Sequence, residues 1–175
     1  MKFIPTNFRE AFLIVPEPLQ DSRGFFERTY CEREFAKLGI EDVFVQHSRS
    51  FSAVKGTLRG MHFQKHPHTE AKLVSCAKGA IHDVIVDLRP DSETFRHWQE
   101  FELSAANRHQ LYVPLGFAHG FQTLMDLTEV EYQMSEFHTP GAAGGFRYDD
   151  PAFAIRWPLP VSVISPKDLA WPEFA

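Results

Sequence analysis

The chain has 175 residues, 43% of them apolar and 23% charged, with a net charge of −5, which fits one soluble globular domain. That acidic balance excludes a nucleic-acid surface built on overall basicity, while leaving room for a local Arg/Lys cluster that meets a small anion. "AFLIV" (11–15), the longest apolar run near the N-terminus, is too short for a membrane span or a signal-peptide core.

No repeat, low-complexity tract or linker divides the sequence, so residues 1–175 are expected to form one unit. The N-terminal "MKFIPTNFREAFLIV" carries apolar residues suited to an edge strand, which needs covering. "DSRG" (21–24) has turn chemistry, and "FFERTY" (25–30) reads as a strand. "CEREFAKLG" (31–39) predicts a helix with Cys31, Phe35 and Leu38 on one face and Gly39 at its C-terminal cap. Cys31 and Cys76 form neither a disulfide framework nor a metal spacing, which points to a reducing cytoplasm.

From there the pattern has period two. Short alternating runs cover 42–50, 56–64, 71–77, 80–89, 98–104, 109–114 and 128–134, separated by turn signals such as "AKG", "RPDS" and "AAN". Many short strands at this spacing predict an all-β antiparallel sandwich or barrel, with a jelly roll the best match. Alternation along 56–64 sends Leu58, Gly60, His62 and Gln64 one way and Arg59, Met61 and Phe63 the other. Along 128–134 it turns Val130, Tyr132 and Met134 inward and leaves Glu129, Glu131 and Gln133 outside. A core tyrosine with a satisfied hydroxyl would fit the same pattern.

Two chemistries compete for the histidines. "HPH" (66–68) with Glu70, together with "PLGFAH" (114–119), resembles the paired motifs by which metal-binding cupins present three histidines and a glutamate. The spacing fits poorly, because only Thr69 separates His68 from Glu70, and Pro67 beside Lys65 reads as loop. The alternative centres on His62, with Lys72 and Asp83 on neighbouring strand-like runs. A base, an ammonium and a carboxylate in one barrel suit proton abstraction with charge stabilisation. Taken singly, Lys72 would be a rim lysine and Asp83 the partner of some arginine; taken together, such buried charges need one another.

Longer motifs separate the two. "DSRGFF", "GTLRGMHFQ", "EAKLVSCAKGAIHDVIVDLRPDSETF", "YVPLGFAHGF", "YDDPAFAIRWP" and "SPKD" resemble, in order from Asp21 to Asp168, the dTDP-4-dehydrorhamnose 3,5-epimerase family. The resemblance implies a cupin-type double-stranded β-helix with short peripheral helices, no metal and no cofactor. It implies inversion of C3, C5 or both in a nucleoside-diphosphate-linked 4-keto-6-deoxy sugar, through an enolate, by a cytoplasmic homodimer with no nucleic-acid or membrane partner. By the match, His62 is the base, Asp168 supports its imidazole, Lys72 stabilises the enolate oxygen and Tyr132 is the proton donor; Asp83 is counted with this catalytic group. Arg23, Arg59 and Lys167 would meet the diphosphate and neighbouring groups, Gln46 and His119 the rest of the substrate, and Phe26 the nucleotide.

Four positions depart from the family pattern. Arg28 stands where Glu is usual, Ser48 where Asn is, Ala143 where Glu is, and His138 where an aromatic is. Since all four fall at or near expected substrate contacts, the chemistry is better specified than the substrate. A C3-only epimerase, a 3,4-ketoisomerase, a metal-dependent cupin and a silent nucleotide-sugar binder are the competing readings. The presence of His62, Lys72, Tyr132 and Asp168 argues against the silent binder.

Overall fold

Consecutive strands of this chain cross repeatedly from one sheet to another, and that exchange builds the site. The computed structural model describes residues 1–40 and 43–174. Two hairpins come first, β1 (Lys2–Pro5) with β2 (Phe12–Val15), and β3 (Leu19–Asp21) with β4 (Gly24–Phe26). Helix α1 (Glu32–Ala36) leads to β5 (Gln46–Ser52), β6 (Thr57–Gln64), β7 (Lys72–Lys78) and β8 (Ala80–Asp87). Next come β9 (Trp98–Ser104), β10 (Gln110–Val113), β11 (Phe117–Thr123) and β12 (Thr128–Met134). A 3₁₀ turn at Pro140–Ala142, β13 (Ala143–Gly145), β14 (Val163–Ile164) and α2 (Pro166–Leu169) complete the order.

The first sheet runs β1-β2-β10-β7-β12-β5, and the second β13-β6-β11-β8-β9, with β14 alongside β6. Every pairing is antiparallel except β14 with β6. From β5 to β8, and again from β10 to β12, successive strands change sheet, as the expected jelly roll requires.

Alternation then fills the space between the sheets. Val74, Cys76, Ile81, Ile85, Phe117 and Phe121 point inward to an apolar core at one end. The outer faces are covered too. Phe146, Phe153 and Phe174 pack on Met61, Val84 and Val86 behind the second sheet, with the Phe146 and Phe153 rings stacked at 4.3 Å. Phe35 and Ile40 cover Leu73 and Tyr112 behind the first. A strand covered on both faces is buried almost throughout, as β8 is. Each fully buried Phe or Ile side chain contributes about 1.5–3 kcal/mol.

Some local expectations change. The strand read over 25–30 ends at Phe26, and the run from Asp42 becomes a strand at Gln46; Asp42 itself lies outside the described residues. The helix of 31–39 stops at Ala36, where a Schellman motif closes it. Gly39, at φ +77°, donates to Ala36 O, and Ile40 N–H donates to Phe35 O at 3.2 Å. The bend buries Ile40 beside Phe35 in place of Leu38, which is exposed.

At the end of β8, Asp87 is fully buried and organises the loop to β9. Its carboxylate accepts hydrogen bonds from the Arg89 backbone and guanidinium, Ser92 Oγ at 2.6 Å and Thr94 Oγ1 at 2.7 Å. Burial pushes this carboxyl up, but the donors outweigh it and hold the pKa at about 2. A depressed folded pKa stabilises the fold above the ordinary carboxylate range, and that contribution fades as pH falls toward 2. Asp87→Asn should lower stability at pH 7 by about 2–3 kcal/mol. The gap between variant and parent in urea midpoint should narrow between about pH 4 and pH 2.

Candidate active site

The site begins with an irregularity in β6. His119 pairs with His62 and Phe121 with Arg59, so Gly60 and Met61 of β6 oppose the single residue Gly120. This bulge adds one residue to β6 and reverses the alternation beyond it. Arg59 therefore faces the interior, contrary to the simple two-residue pattern, while Met61 stays behind the sheet as that pattern expects. Arg59 Nε donates to Ser52 Oγ at 3.1 Å, and its guanidinium also reaches Phe51 O, across on β5. Gly60 allows this at φ +130°, where a Cβ would sit 2.5 Å from Gly120 Cα.

Next to the apolar core the interior opens into a cavity of about 800 Å³. The first sheet contributes Gln46, Ser48, Ser50, Lys72 and Tyr132, and the second Arg59, His62 and His119. His138 and Ala143 line it from the segment after β12, and Lys167 and Asp168 from α2. Asp83 stands behind His119 on β8. Lys72 and Asp83 are thus not strand neighbours of His62: β7 is in the opposite sheet, and β11 separates β8 from β6.

Each charge has its own support. His62 Nε2 and Asp168 Oδ1 are 2.6 Å apart, a short charge-assisted hydrogen bond. Ser165 caps α2 and accepts from Asp168 N–H at 3.0 Å, while Gly60 N–H donates to Asp168 Oδ2 at 3.4 Å. Burial pushes the Asp168 carboxyl up, but His62, Gly60 and Ser165 together hold it below its ordinary value. His119 Nε2 lies 2.8 Å from Asp83 Oδ2, with both residues buried, so Asp83 serves a histidine rather than an arginine. Lys72 is buried, not a rim residue, and its Nζ lies 3.0 Å from Glu70 Oε1. Gln64 Nε2 donates to the other oxygen of Glu70 at 3.0 Å.

Tyr132 points inward as alternation predicted, packed against the core and edge-on to the His119 ring. Its hydroxyl shares a hydrogen bond of 3.0 Å with Ser50 Oγ. Burial pushes the phenol pKa well up, against the smaller opposing effect of Ser50, so the hydroxyl stays protonated through the neutral range.

Three expected contacts are not brought to the cavity. Arg23 is exposed at the β3–β4 turn, where its guanidinium grips Asp21. Phe26 is exposed on β4, and Arg28 pairs with Glu34 at 3.1 Å; both line a separate shallow concavity near Met1. His66 and His68 lie on the loop after β6, outside the cavity, and Glu70 turns to Lys72 instead of to them. Among the described residues no three His, Cys, Asp or Glu side chains are grouped to hold a metal ion. Sequence alternation puts Gln64 on the face of His62 but gives it no role, and Ser50 is not expected at all, although it follows Gln46 and Ser48 at period two, which is the available signal.

The fold and this cavity define a cupin-type jelly roll whose site is assembled from acid–base and cationic groups. Residues 5–175 match the family model for dTDP-4-dehydrorhamnose 3,5-epimerase. The chain is 42% identical to the dTDP-4-dehydrorhamnose 3,5-epimerase of Methanothermobacter thermautotrophicus, over 97% of this chain and 92% of that one. It matches the crystal structure of the Bacillus anthracis dTDP-4-dehydrorhamnose 3,5-epimerase with TDP and PPi bound at a TM-score of 0.96 and 45% identity, covering 99% of both chains. For the dTDP-6-deoxy-D-glucose-3,5-epimerase of Legionella pneumophila in complex with dTDP-4-keto-L-rhamnose, the TM-score is 0.92 at 40% identity, covering 98% and 92%. This chain belongs to the dTDP-4-dehydrorhamnose 3,5-epimerase family, and it is an isomerase.

Because the bulge has no room for a side chain, Gly60→Ala should cost about 3 kcal/mol or more, through positive φ and a backbone clash. Gly141→Ala, at a glycine with nothing within 4 Å of an added Cβ, should stay within about 0.5 kcal/mol of the parent. Urea unfolding of the two variants checks both.

Proposed function

We propose that this enzyme epimerises a nucleoside-diphosphate-linked 4-keto-6-deoxy sugar of the dTDP-4-dehydro-6-deoxyglucose type, inverting C3, C5 or both through an enolate, in deoxysugar biosynthesis. One observation carries the reading. The His62–Asp168 pair and the Tyr132 phenol approach a common cavity from opposite sheets. An enolate is planar, so inversion needs a base on one face and an acid on the other.

His62 removes the proton next to the C4 ketone, and Asp168 orients the imidazole and stabilises the imidazolium that forms. Lys72, steadied by Glu70, supplies positive charge for the enolate oxygen. Tyr132 returns a proton from the opposite face. Its raised pKa keeps the proton in place, and an α-carbon is a far weaker acid than any phenol, so the transfer runs downhill. His119, held by Asp83, flanks the reacting ring. Arg59 and Lys167 are the cavity-lining cations suited to a diphosphate. Gln46, Ser48, His138 and Ala143 surround the remaining space, where departures from the family pattern select the sugar and the base.

The same reading makes the enzyme a homodimer. Leu19, Phe25 and Phe26 are exposed on one small hairpin, an apolar surface suited to contact with a second copy. Such contact would deliver Arg23, Phe26 and Arg28 to the neighbouring cavity, where one chain alone leaves them outside. The free thiols Cys31 and Cys76 fit a cytoplasmic enzyme. Sedimentation at micromolar concentration should give about twice the 20.1 kDa of one chain; a single-chain mass would reject the dimer.

Incubation with nucleotide-linked 4-ketosugars in deuterated water, read by NMR, tests the chemistry and finds the substrate. His62→Ala should abolish both deuterium wash-in and inversion, because no enolate forms. Tyr132→Phe should retain wash-in, since His62 can return a deuteron to its own face, while inversion falls about 10²–10⁴-fold. A parallel fall of both in Tyr132→Phe would refute Tyr132 as the acid.

A further inference from the structure

A phenol that gives up its proton inside a protein leaves a charged oxygen that something must stabilise. Burial disfavours the Tyr132 phenolate, and the Asp83 carboxylate nearby adds to the penalty. The hydroxyl lies 3.0 Å from Ser50 Oγ. In the resting pair either oxygen can donate. Once Tyr132 is a phenolate, only the serine O–H remains to donate.

We propose that Ser50 is a positioning residue for the reaction, aiming the Tyr132 hydroxyl at the substrate and donating a hydrogen bond to the phenolate that protonation of the enolate leaves behind. The inference rests on Tyr132 being the acid. In the step itself the enolate electron pair forms the new C–H bond and the C4 carbonyl is restored. The tyrosine O–H bond breaks, and its electrons stay on the phenolate oxygen, which accepts from Ser50. The cycle closes when the His62 imidazolium releases its proton to solvent and the phenolate takes one up, so no net proton is consumed.

Strand register supports the geometry. Tyr132 pairs with Ser48, and Val130 with Ser50, so Ser50 lies diagonally across from Tyr132 on the inward face of β5. Ser50 is partly buried on an edge strand, where loss of one oxygen leaves the fold intact. Arg59, reaching over from β6, favours the phenolate by charge but makes its hydrogen bonds to Ser52 and Phe51 of β5 instead.

The test is the ratio of inversion to deuterium wash-in at the same carbon, measured for the parent, Ser50→Ala, Ser50→Thr, Tyr132→Phe and the Ser50→Ala/Tyr132→Phe double variant. Weaker substrate binding would lower both rates together and leave the ratio unchanged. Loss of a hydrogen bond to a charged oxygen should lower the ratio about 10–100-fold in Ser50→Ala. Ser50→Thr, which keeps the donor, should restore it to within about 3-fold, since that residual is small beside the loss of a charged hydrogen bond. The double variant should match Tyr132→Phe, because Ser50 acts through the phenol. If Tyr132→Phe lowers the ratio while Ser50→Ala leaves it unchanged, Ser50 has no such role and the acid assignment stands. A further fall in the double variant would also overturn the proposal, by showing that Ser50 acts elsewhere. An unchanged ratio in Tyr132→Phe would sink the acid assignment and this inference with it.

Discussion

Charge placed between two sheets of a β sandwich has lost most of its water, and it persists there only with a partner. Three pairs stand around one cavity: the buried His119 with Asp83 and Lys72 with Glu70, and the half-exposed His62 with buried Asp168. Both members of the His62–Asp168 and Lys72–Glu70 pairs line the cavity, while Asp83 holds His119 from behind. The partners come from different parts of the chain, Asp168 from α2, Asp83 from β8 and Glu70 from the loop before β7. Pairing thus ties the C-terminal helix and both sheets to the geometry of the site. Loss of the N-terminal cap of α2 at Ser165 would loosen His62 without touching it.

Jelly-roll connectivity explains why the chemistry can be two-sided. Because β6 and β7 lie in opposite sheets, residues only ten apart in sequence, His62 and Lys72, face each other across the interior. Tyr132 on β12 joins Lys72 on one wall, and His119 on β11 joins His62 on the other. On the proposed mechanism a planar intermediate between these walls would meet different groups on its two faces, which a single sheet cannot offer. The family relationship gives the reaction class, and the placement of these groups on opposite walls is compatible with it.

Where local periodicity ruled, the sequence could be read directly. Alternation along 128–134 turned Tyr132 inward, and the runs at 98–104 and 128–134 are strands with those bounds. Gly39 marks the helix end because only a residue tolerant of positive φ completes the Schellman turn. Reading failed where one residue breaks the period. The bulge opposite Gly120 sends Arg59 inward, although counting from His62 sends it out. Strand β11 went unread because Gly116 sits just before it and Gly120 interrupts its alternation; these glycines are there for a left-handed turn and for close approach to Gly60 and Met61.

The sequence by itself determined the all-β class, the succession of strands and the residue types able to move a proton, since these follow from side-chain period and chemistry. Its longer motifs also carried the family, because they keep their order along nearly the whole chain. The resemblance implied Asp168 behind His62; the other pairings only the tertiary structure decided. Asp168 reaches His62 across 106 residues, Asp83 reaches His119 across 36, and Ser50 reaches Tyr132 across 82. The physical reason is that period-two patterning says which face of a strand a residue occupies, while its partner is set by sheet order, register and bulges, which arise only when the strands pack.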